Sequence, residues 1–302
     1  MAVTIPFVRE LDFEYGEVVT VAPGIRRVIA NNPSPFTFHG TGTYIIGEGD
    51  VAIVDPGPRD EAHIRNLLKA TESERITHVL VTHTHMDHSP GCALLAQYTD
   101  APTYAYGPHG AGSEEKGIKV EEGGDMEFNP THRVVDGQII EGGNWSVECV
   151  YTPGHTSNHM CFQHRESEGL FTGDHVMGWS TSIISPPDGD MAAYMQSLNK
   201  LLVRDDKTYW PTHGAPITDP KPFVETFITH REEREAQIIQ CIKSGTNTIV
   251  DMVPQMYADL PEFMYPAAAR SALAAIAYLV QKGELLCEGE GEVNLQASYF
   301  LA

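Results

Sequence analysis

Three histidines and an aspartate fall within six residues, in the order His83, His85, Asp87, His88. Imidazole nitrogens and carboxylate oxygens are the donors that divalent transition metals take from proteins. Residues 76–81, just before them, form an apolar run that reads as a buried strand. Pro90 and Gly91 follow, and then a helical pattern through Ala93, Leu94, Leu95 and Tyr98. The cluster therefore sits on a loop between a strand and a helix. This differs from His-Glu-x-x-His, where ligands four apart share one helix face. Alternate side chains of an extended segment point the same way, so His83 and His85 face one metal. Asp87 and His88, past the turn, face a second. A lone histidine is ordinarily a surface or core residue; four donors packed this closely after a buried strand are not.

Three more loops carry donors, and each follows a strand pattern: His155 in Pro-Gly-His, Asp174 in Gly-Asp-His, and His213 in Thr-His-Gly. Ligands at the ends of successive strands converge on one edge of a sheet sandwich. His83, His85 and His155 would hold the first metal, Asp87, His88 and His213 the second, with Asp174 bridging. Zinc suits this donor set best, and manganese or iron also fits. A water shared by two cations loses a proton near neutral pH and becomes a bridging hydroxide nucleophile. The same cations polarise a carbonyl or phosphoryl oxygen, and Asp87 is placed to orient the nucleophile. No Gly-x-Ser-x-Gly elbow is present, and the chemistry needs none.

His-x-His-x-Asp-His followed by Gly-His, Gly-Asp and His-Gly resembles the metallo-β-lactamase superfamily over residues 15–220. The resemblance implies an α/β fold of the α+β kind, a four-layer αββα sandwich with a dinuclear site at one edge and a hydrolase function. It also implies that Asp55, in Val-Asp-Pro-Gly, supports the metal loop from behind. Asn32-Pro-Ser-Pro-Phe-Thr, Gly173-Asp-His-Val-Met-Gly, Tyr194-Met-Gln-Ser-Leu and His230-Arg-Glu-Glu-Arg are similar to the lactamase-β-like-2 subgroup. That subgroup carries a C-terminal winged-helix-like domain, and its best-known member is a single-strand endoribonuclease. The chain departs from the related Gly-Thr-Asn-Thr-Tyr by having Gly42 between Thr41 and Thr43.

Other residues near the motifs have bland readings beside sharp ones. His159 and His175 flank ligands and are expected to orient them. His109 and His132 are expected on the surface, and His39 near the rim at most. Trp179, Ser180 and Ser182 follow Asp174 and line either the pocket or the core. Tyr194 and Cys92 read as core.

The elements that must position these loops follow from turn signals and patterning. Short strands at 18–22, 25–29, 43–46 and 51–54 precede a helix at 60–70. Residues 107–143, rich in glycine and acids, read as a surface insertion that borders the site. Strands at 145–151, 160–163, 170–172 and 208–211 and a helix at 190–203 complete a catalytic domain, 1–220. Helices at 223–242, 248–257 and 266–281 and a hairpin at 285–301 make a winged-helix-like domain, 221–302.

With 302 residues and 41% hydrophobic content the chain can bury a substantial core. Its net charge of −21 opposes general attraction to nucleic acid, which needs basic surface to displace counterions. Duplex DNA is therefore not an expected partner, and the C-terminal domain is expected to pack, act as a lid or make a dimer contact. The longest apolar candidate, 267–280, is interrupted by Arg270 and Ser271, so no membrane is expected. Five scattered cysteines without a Cys-x-x-Cys pair, and no secretory pattern at the start, point to a reduced cytoplasmic protein. The expected substrate is a small molecule or an oligonucleotide: a phosphodiester, thioester, lactone or β-lactam. An exported β-lactamase is disfavoured, because Asp174 stands where the main zinc β-lactamases use cysteine. The non-hydrolytic alternatives are an iron redox protein and a nucleic-acid-binding module.

Overall fold

The structure is a computed structural model that describes residues 3–112, 123–290 and 292–302. Strands β1 (Val18–Ala22), β2 (Ile25–Ile29), β3 (Gly42–Ile46), β4 (Asp50–Val54), β5 (Arg75–Leu80), β6 (Thr103–Ala105) and β7 (His132–Arg133) form one sheet in sequence order. A second sheet has the order β12-β11-β10-β9-β8, from β8 (Ile139–Glu141), β9 (Ser146–Tyr151), β10 (Met160–His164), β11 (Gly169–Gly173) and β12 (Thr208–Pro211).

Alternation along these strands builds the layers. In β3, Tyr44 and Ile46 join Ala52 and Val54 of β4 in a core between the sheets, opposite Val147, Cys149, Met160, Phe162 and Phe171. The neighbours Ile45, Val51 and Ile53 face the other way, against Ile64 and Leu67 of α1 (Glu61–Ala70) and Cys92 and Leu95 of α2 (Gly91–Leu95). Val150, Cys161 and Leu170 do the same on the second sheet, against Tyr194, Leu198 and Leu201 of α3 (Met191–Leu202). A period of two with both faces apolar is what a sheet covered on both sides requires. The result is the αββα sandwich.

Helix α4 (Pro220–Lys243) serves two cores. Phe223, Val224 and Phe227 pack into the layer of α3, whereas Ile238 and Cys241 join a C-terminal cluster with α5 (Ile249–Met256), α6 (Tyr265–Gln281), β13 (Leu285–Cys287) and β14 (Tyr299–Leu301). β13 and β14 pair antiparallel as the hairpin of this helical winged-helix domain. The boundary read at 220 thus falls at the first turn of a helix shared by both cores. The segment Glu262–Gln281 has the length and apolar content of a membrane span, and it buries Ala272, Ala275, Ile276 and Leu279 in that cluster.

Three expectations are corrected. The 107–143 stretch is not a plain surface insertion: it contains β7 and β8, and Asp125, Phe128, Val134 and Ile140 are buried. Strands of two or three residues carry too little alternation to read from sequence. Its residues 113–122 lie outside the described ones. His109 is buried, not exposed, with Nδ1 2.9 Å from the Thr84 hydroxyl. Tyr98 lies beyond the end of α2 and is exposed. β6 has no counterpart in the sequence reading. All five cysteines are free, and four are buried.

His63 of α1 is buried beside the first sheet, and its Nε2 lies 2.8 Å from the Thr43 hydroxyl, which donates to the Asp55 carbonyl. Burial pushes His63 down from 6.5 to about 4. The folded protein therefore binds fewer protons than the unfolded chain between these values. The stability this supplies is complete above pH 6.5 and is lost as pH falls toward 4, up to roughly 3 kcal/mol. Urea denaturation of wild type and His63→Gln at pH 7, 5.5 and 4.5 should give a shallower decline in the variant. Equal declines in both proteins would refute the buried neutral imidazole.

Candidate metal centre

The strands deliver their ends to one edge. β4 and β5 run parallel, as do β11 and β12, and β9 is antiparallel to β10, which is antiparallel to β11. β9, β11 and β12 therefore share a direction, and their C-terminal ends carry His155, Asp174 and His213. The end of β5 carries His83, His85, Asp87 and His88. In Pro-Gly-His155 the turn needs Gly154, which has φ +136° and backbone so close to α3 that a Cβ would meet the Tyr194 nitrogen at 2.4 Å.

All seven candidate donors converge. His85 Nδ1 lies 3.1 Å from both His83 Nε2 and His155 Nε2. Asp87 Oδ2 lies 3.3 Å from His88 Nε2 and 3.0 Å from His213 Nε2. Asp174 stands between the two groups: Oδ1 is 3.6 Å from His88 Nε2 and 3.4 Å from His213 Nε2, and Oδ2 is 3.8 Å from His155 Nε2.

Hydrogen bonds behind the rings fix which nitrogen faces inward. Nδ1 of His155 lies 2.6 Å from the Ile183 carbonyl, and Nδ1 of His213 lies 3.1 Å from the Gly40 carbonyl. Nδ1 of His88 meets Asp55 Oδ2 at 2.9 Å, and Nδ1 of His83 meets the Thr82 hydroxyl at 3.1 Å. That hydroxyl donates to Asp55, so His83 must donate to it. Each of these four rings thus commits its outer Nδ1 to a partner and turns Nε2 to the centre.

This arrangement fits divalent cations. His88 Nε2 and Asp174 Oδ1 are buried without any hydrogen-bond partner. An imidazole nitrogen and carboxylate oxygens buried face to face need a cation between them, a proton on the ring or a metal ion. The charges point the same way. Burial, then His88, His85 and His155, holds His83 well below the ordinary imidazole value, and burial with His155 takes His85 to about 3. Both stay neutral, as metal ligation requires. Burial opposes charge on His88 too, but Asp87, Asp174 and Asp55 outweigh it and hold this ring well above the ordinary value. Burial likewise opposes ionised Asp87, and His88 and His213 overcome it.

Asp55 is the strut. Its carboxylate accepts from the Thr82 amide at 2.7 Å, the Thr82 hydroxyl at 2.7 Å, His88 Nδ1 and the Thr212 hydroxyl at 3.2 Å. His159 lies behind a ligand as expected, its Nε2 accepting from the Asp174 amide at 3.3 Å, whereas neither ring nitrogen of His175 has a hydrogen-bond partner and the ring packs on Tyr194. Trp179 stacks on Phe38 rather than lining the cleft, and His39 packs between Phe13 and Phe38. Gly42 has a steric reason: its amide donates to the Thr212 carbonyl at 2.9 Å, and a Cβ would lie 3.0 Å from that oxygen.

Several contributors escaped the sequence reading. The Thr41 hydroxyl donates to Asp87 Oδ2 at 3.0 Å and is itself held by Asn32. Arg231 donates to the Ser182 carbonyl, and the Ser182 hydroxyl donates to the Asp174 carbonyl at 2.6 Å. Asn32 and Arg231 sit within the quoted Asn-Pro-Ser-Pro-Phe-Thr and His-Arg-Glu-Glu-Arg stretches, which was the available signal. The metal loop is also paired from outside, since the Met86 amide donates to the Gly123 carbonyl and the Asp125 amide to that of Thr84.

The centre forms the floor of a cleft of about 800 Å³. Its lining includes Pro35, Phe36 and Thr37, Met177 and Ile183, and Phe263, Met264, Ala267 and Arg270 of the C-terminal domain.

Replacing Asp55 by asparagine puts an amide donor among four donors. A loss of roughly 3–5 kcal/mol is expected, the range for breaking a buried charged network. Guanidinium denaturation at pH 7.5 measures it, and a loss below about 1 kcal/mol, the level of an exposed ion pair, would refute the strut.

Comparison with known proteins agrees with this geometry. The family model of the metallo-beta-lactamase superfamily matches residues 37–213, and that of the beta-lactamase associated winged helix domain matches 248–289. An atrochrysone carboxyl ACP thioesterase of Claviceps purpurea is 30% identical over 255 residues, covering 82% of this chain and 76% of its own. The beta-lactamase-like protein 2 homolog of Drosophila melanogaster is 30% identical over 280 residues, covering 89% and 91%. In fold alone, a beta-lactamase domain protein from Burkholderia ambifaria superposes with a TM-score of 0.76 at 20% identity, over 95% of this chain and 94% of that one. The match across more than half of the chain, on a centre of five histidines and two aspartates at one sandwich edge, makes this chain a hydrolase belonging to the metallo-beta-lactamase superfamily.

Proposed function

We propose that the protein is a dinuclear zinc hydrolase whose substrates are acyl thioesters. His83, His85 and His155 would hold one ion, Asp87, His88 and His213 the other, and Asp174 would lie between. The observation that carries the reading is the pair of orphaned, inward-facing atoms, His88 Nε2 and Asp174 Oδ1, at the floor of an open cleft. Bound zinc would lower the pKa of water and polarise the thioester carbonyl. The protein's own groups do the rest. Asp87, kept ionised by His88 and His213, accepts a hydrogen bond from the attacking water and orients it. Thr41 fixes the carboxylate at Oδ2. Attack on the carbonyl carbon breaks the C–S bond, and the thiol leaves with a proton.

A thioester is favoured by the cleft walls. Phe36, Met86, Met177, Ile183 and Phe263 suit an acyl body. The thioesterase relatives support the same class. Single-stranded RNA asks for a basic groove along several nucleotides, whereas the chain carries a net charge of −21 and Arg270 is the one lysine or arginine among the described cleft residues.

Elemental analysis of protein expressed with added zinc should find about two ions per chain, as the donor count requires; absence of metal would sink the proposal. Asp87→Ala and His155→Ala should abolish hydrolysis while retaining the wild-type circular dichroism spectrum. In a panel of thioester, lactone, β-lactam and single-stranded RNA, thioester should turn over fastest in an Asp87-dependent way. RNA cleavage without thioester turnover would replace this substrate class with the phosphodiester one.

A further inference from the structure

The C-terminal domain forms a wall of the catalytic cleft, and that wall carries a charge. The segment from Phe263 to Arg270, just before and within the first turns of α6, faces the cleft whose floor is the metal centre. Phe36, Met86 and Phe263 stand around it as large apolar side chains that are 53%, 49% and 72% exposed. Exposed apolar side chains grouped about a cleft mark a place where an apolar ligand rests. Arg270 lines the same cleft and is half-buried. Among the described residues it has no hydrogen-bond or ion-pair partner. The other arginines that are not exposed are matched: Arg204 with Glu148 and Asp206, Arg26 with Glu74, and Arg27, Arg231 and Arg234 with the carbonyls of Gly214, Ser182 and Met256. A planar guanidinium left unmatched beside apolar walls is suited to a carboxylate or phosphate, which it binds through two parallel hydrogen bonds.

We infer that Arg270 recognises an anionic group on the substrate, so that the preferred thioesters pair an apolar acyl body with a carboxylate on the acyl group or a phosphate on the thiol arm. The inference rests on the thioester reading above and adds a specificity-determining residue from the winged-helix domain. It also gives that domain a place in substrate selection. Arg270 is not required for the bond-breaking step. It contributes binding, so its loss should raise KM and leave kcat comparatively intact.

Three thioesters of one aryl acid test this on the zinc-loaded full chain: a neutral aryl acyl group on N-acetylcysteamine, a carboxylated aryl acyl group on N-acetylcysteamine, and the neutral acyl group on phosphopantetheine. The readout is the ratio of kcat/KM for each anionic thioester to that for the neutral one. In Arg270→Ala that ratio should fall about tenfold to a hundredfold for one anionic thioester, chiefly through KM, and Arg270→Lys should restore part of it. A fall with the carboxylated substrate assigns the acyl carboxylate, and a fall with the phosphopantetheine substrate assigns the arm phosphate. Ratios unchanged in both variants overturn the inference. If wild type cleaves none of the three, the thioester reading fails. Calorimetric titration with the corresponding non-hydrolysable amides then decides the role of Arg270: tighter binding of an anionic amide that Arg270→Ala removes supports it, and equal binding overturns it.

Discussion

Everything at the sandwich edge leans on one buried carboxylate. Asp55 ends β4 in a left-handed conformation, φ +50°, that few non-glycine residues adopt. Four hydrogen bonds to its carboxylate offset the cost. Thr82 belongs to the β5 loop of the first sheet and Thr212 to the β12 loop of the second. His88 is one of the inward-facing rings. One side chain therefore sets the distance between the two sheets at the site and the tilt of an imidazole within it. The adjoining Asp55 carbonyl is held by Thr43, and Thr43 by His63 of α1, so the outer helical layer is tied to the same point.

The dependence runs outward from that strut. Because β4, β5, β9, β11 and β12 all end at one edge, each donor needs only a short loop to arrive. Short loops leave little freedom, and the rings are then locked by backbone carbonyls and hydroxyls behind them. The free energy for this order comes from the three apolar layers far from the chemistry. The site itself is built of groups that desolvate one another: five imidazoles, two of them, His83 and His85, held neutral, face inward, and two carboxylates sit against them. Such a cluster is stable as a folded feature when the sandwich over-determines it and cations neutralise it.

How much of this the sequence revealed follows from the range of each interaction. The alternation in β3, β4, β9 and β10 is local, so the strands could be read, whereas the four layers came from the resemblance. The donors were readable because each is a chemically distinctive residue directly after a strand. Asp55 was reached by resemblance, not by pattern. The roles of Thr41, Arg231 and Ser182, the last named only as lining pocket or core, were not reached, because such a side chain acquires its role only from a partner brought up by the fold. The two-residue β7 and three-residue β8 carried too few positions for a period to show. Helix α4 looked like the start of a separate domain because its amphipathic pattern is continuous; that its two halves enter different cores is a tertiary fact. Phe263 and Arg270 looked like ordinary positions in an apolar helical region for the same reason.

The charge balance can now be read in two parts. The net charge of −21 acts at long range, where it repels anions, but salt screens it within about 10 Å. The cleft acts at short range, where a guanidinium on the C-terminal wall and the cations proposed for its floor reverse the sign. The anionic substrate inferred above would therefore not be drawn in from a distance; it would be selected on contact, by groups spaced within one cavity. That suits a small acyl substrate, whose apolar body supplies binding energy before its charge is engaged. It suits a long polyanion poorly, since every phosphate outside the cleft would face the acidic surface. On the proposed reading, the acidity that argues against nucleic acid in the sequence would act, at the site, as a filter for substrates whose charge is confined to one end.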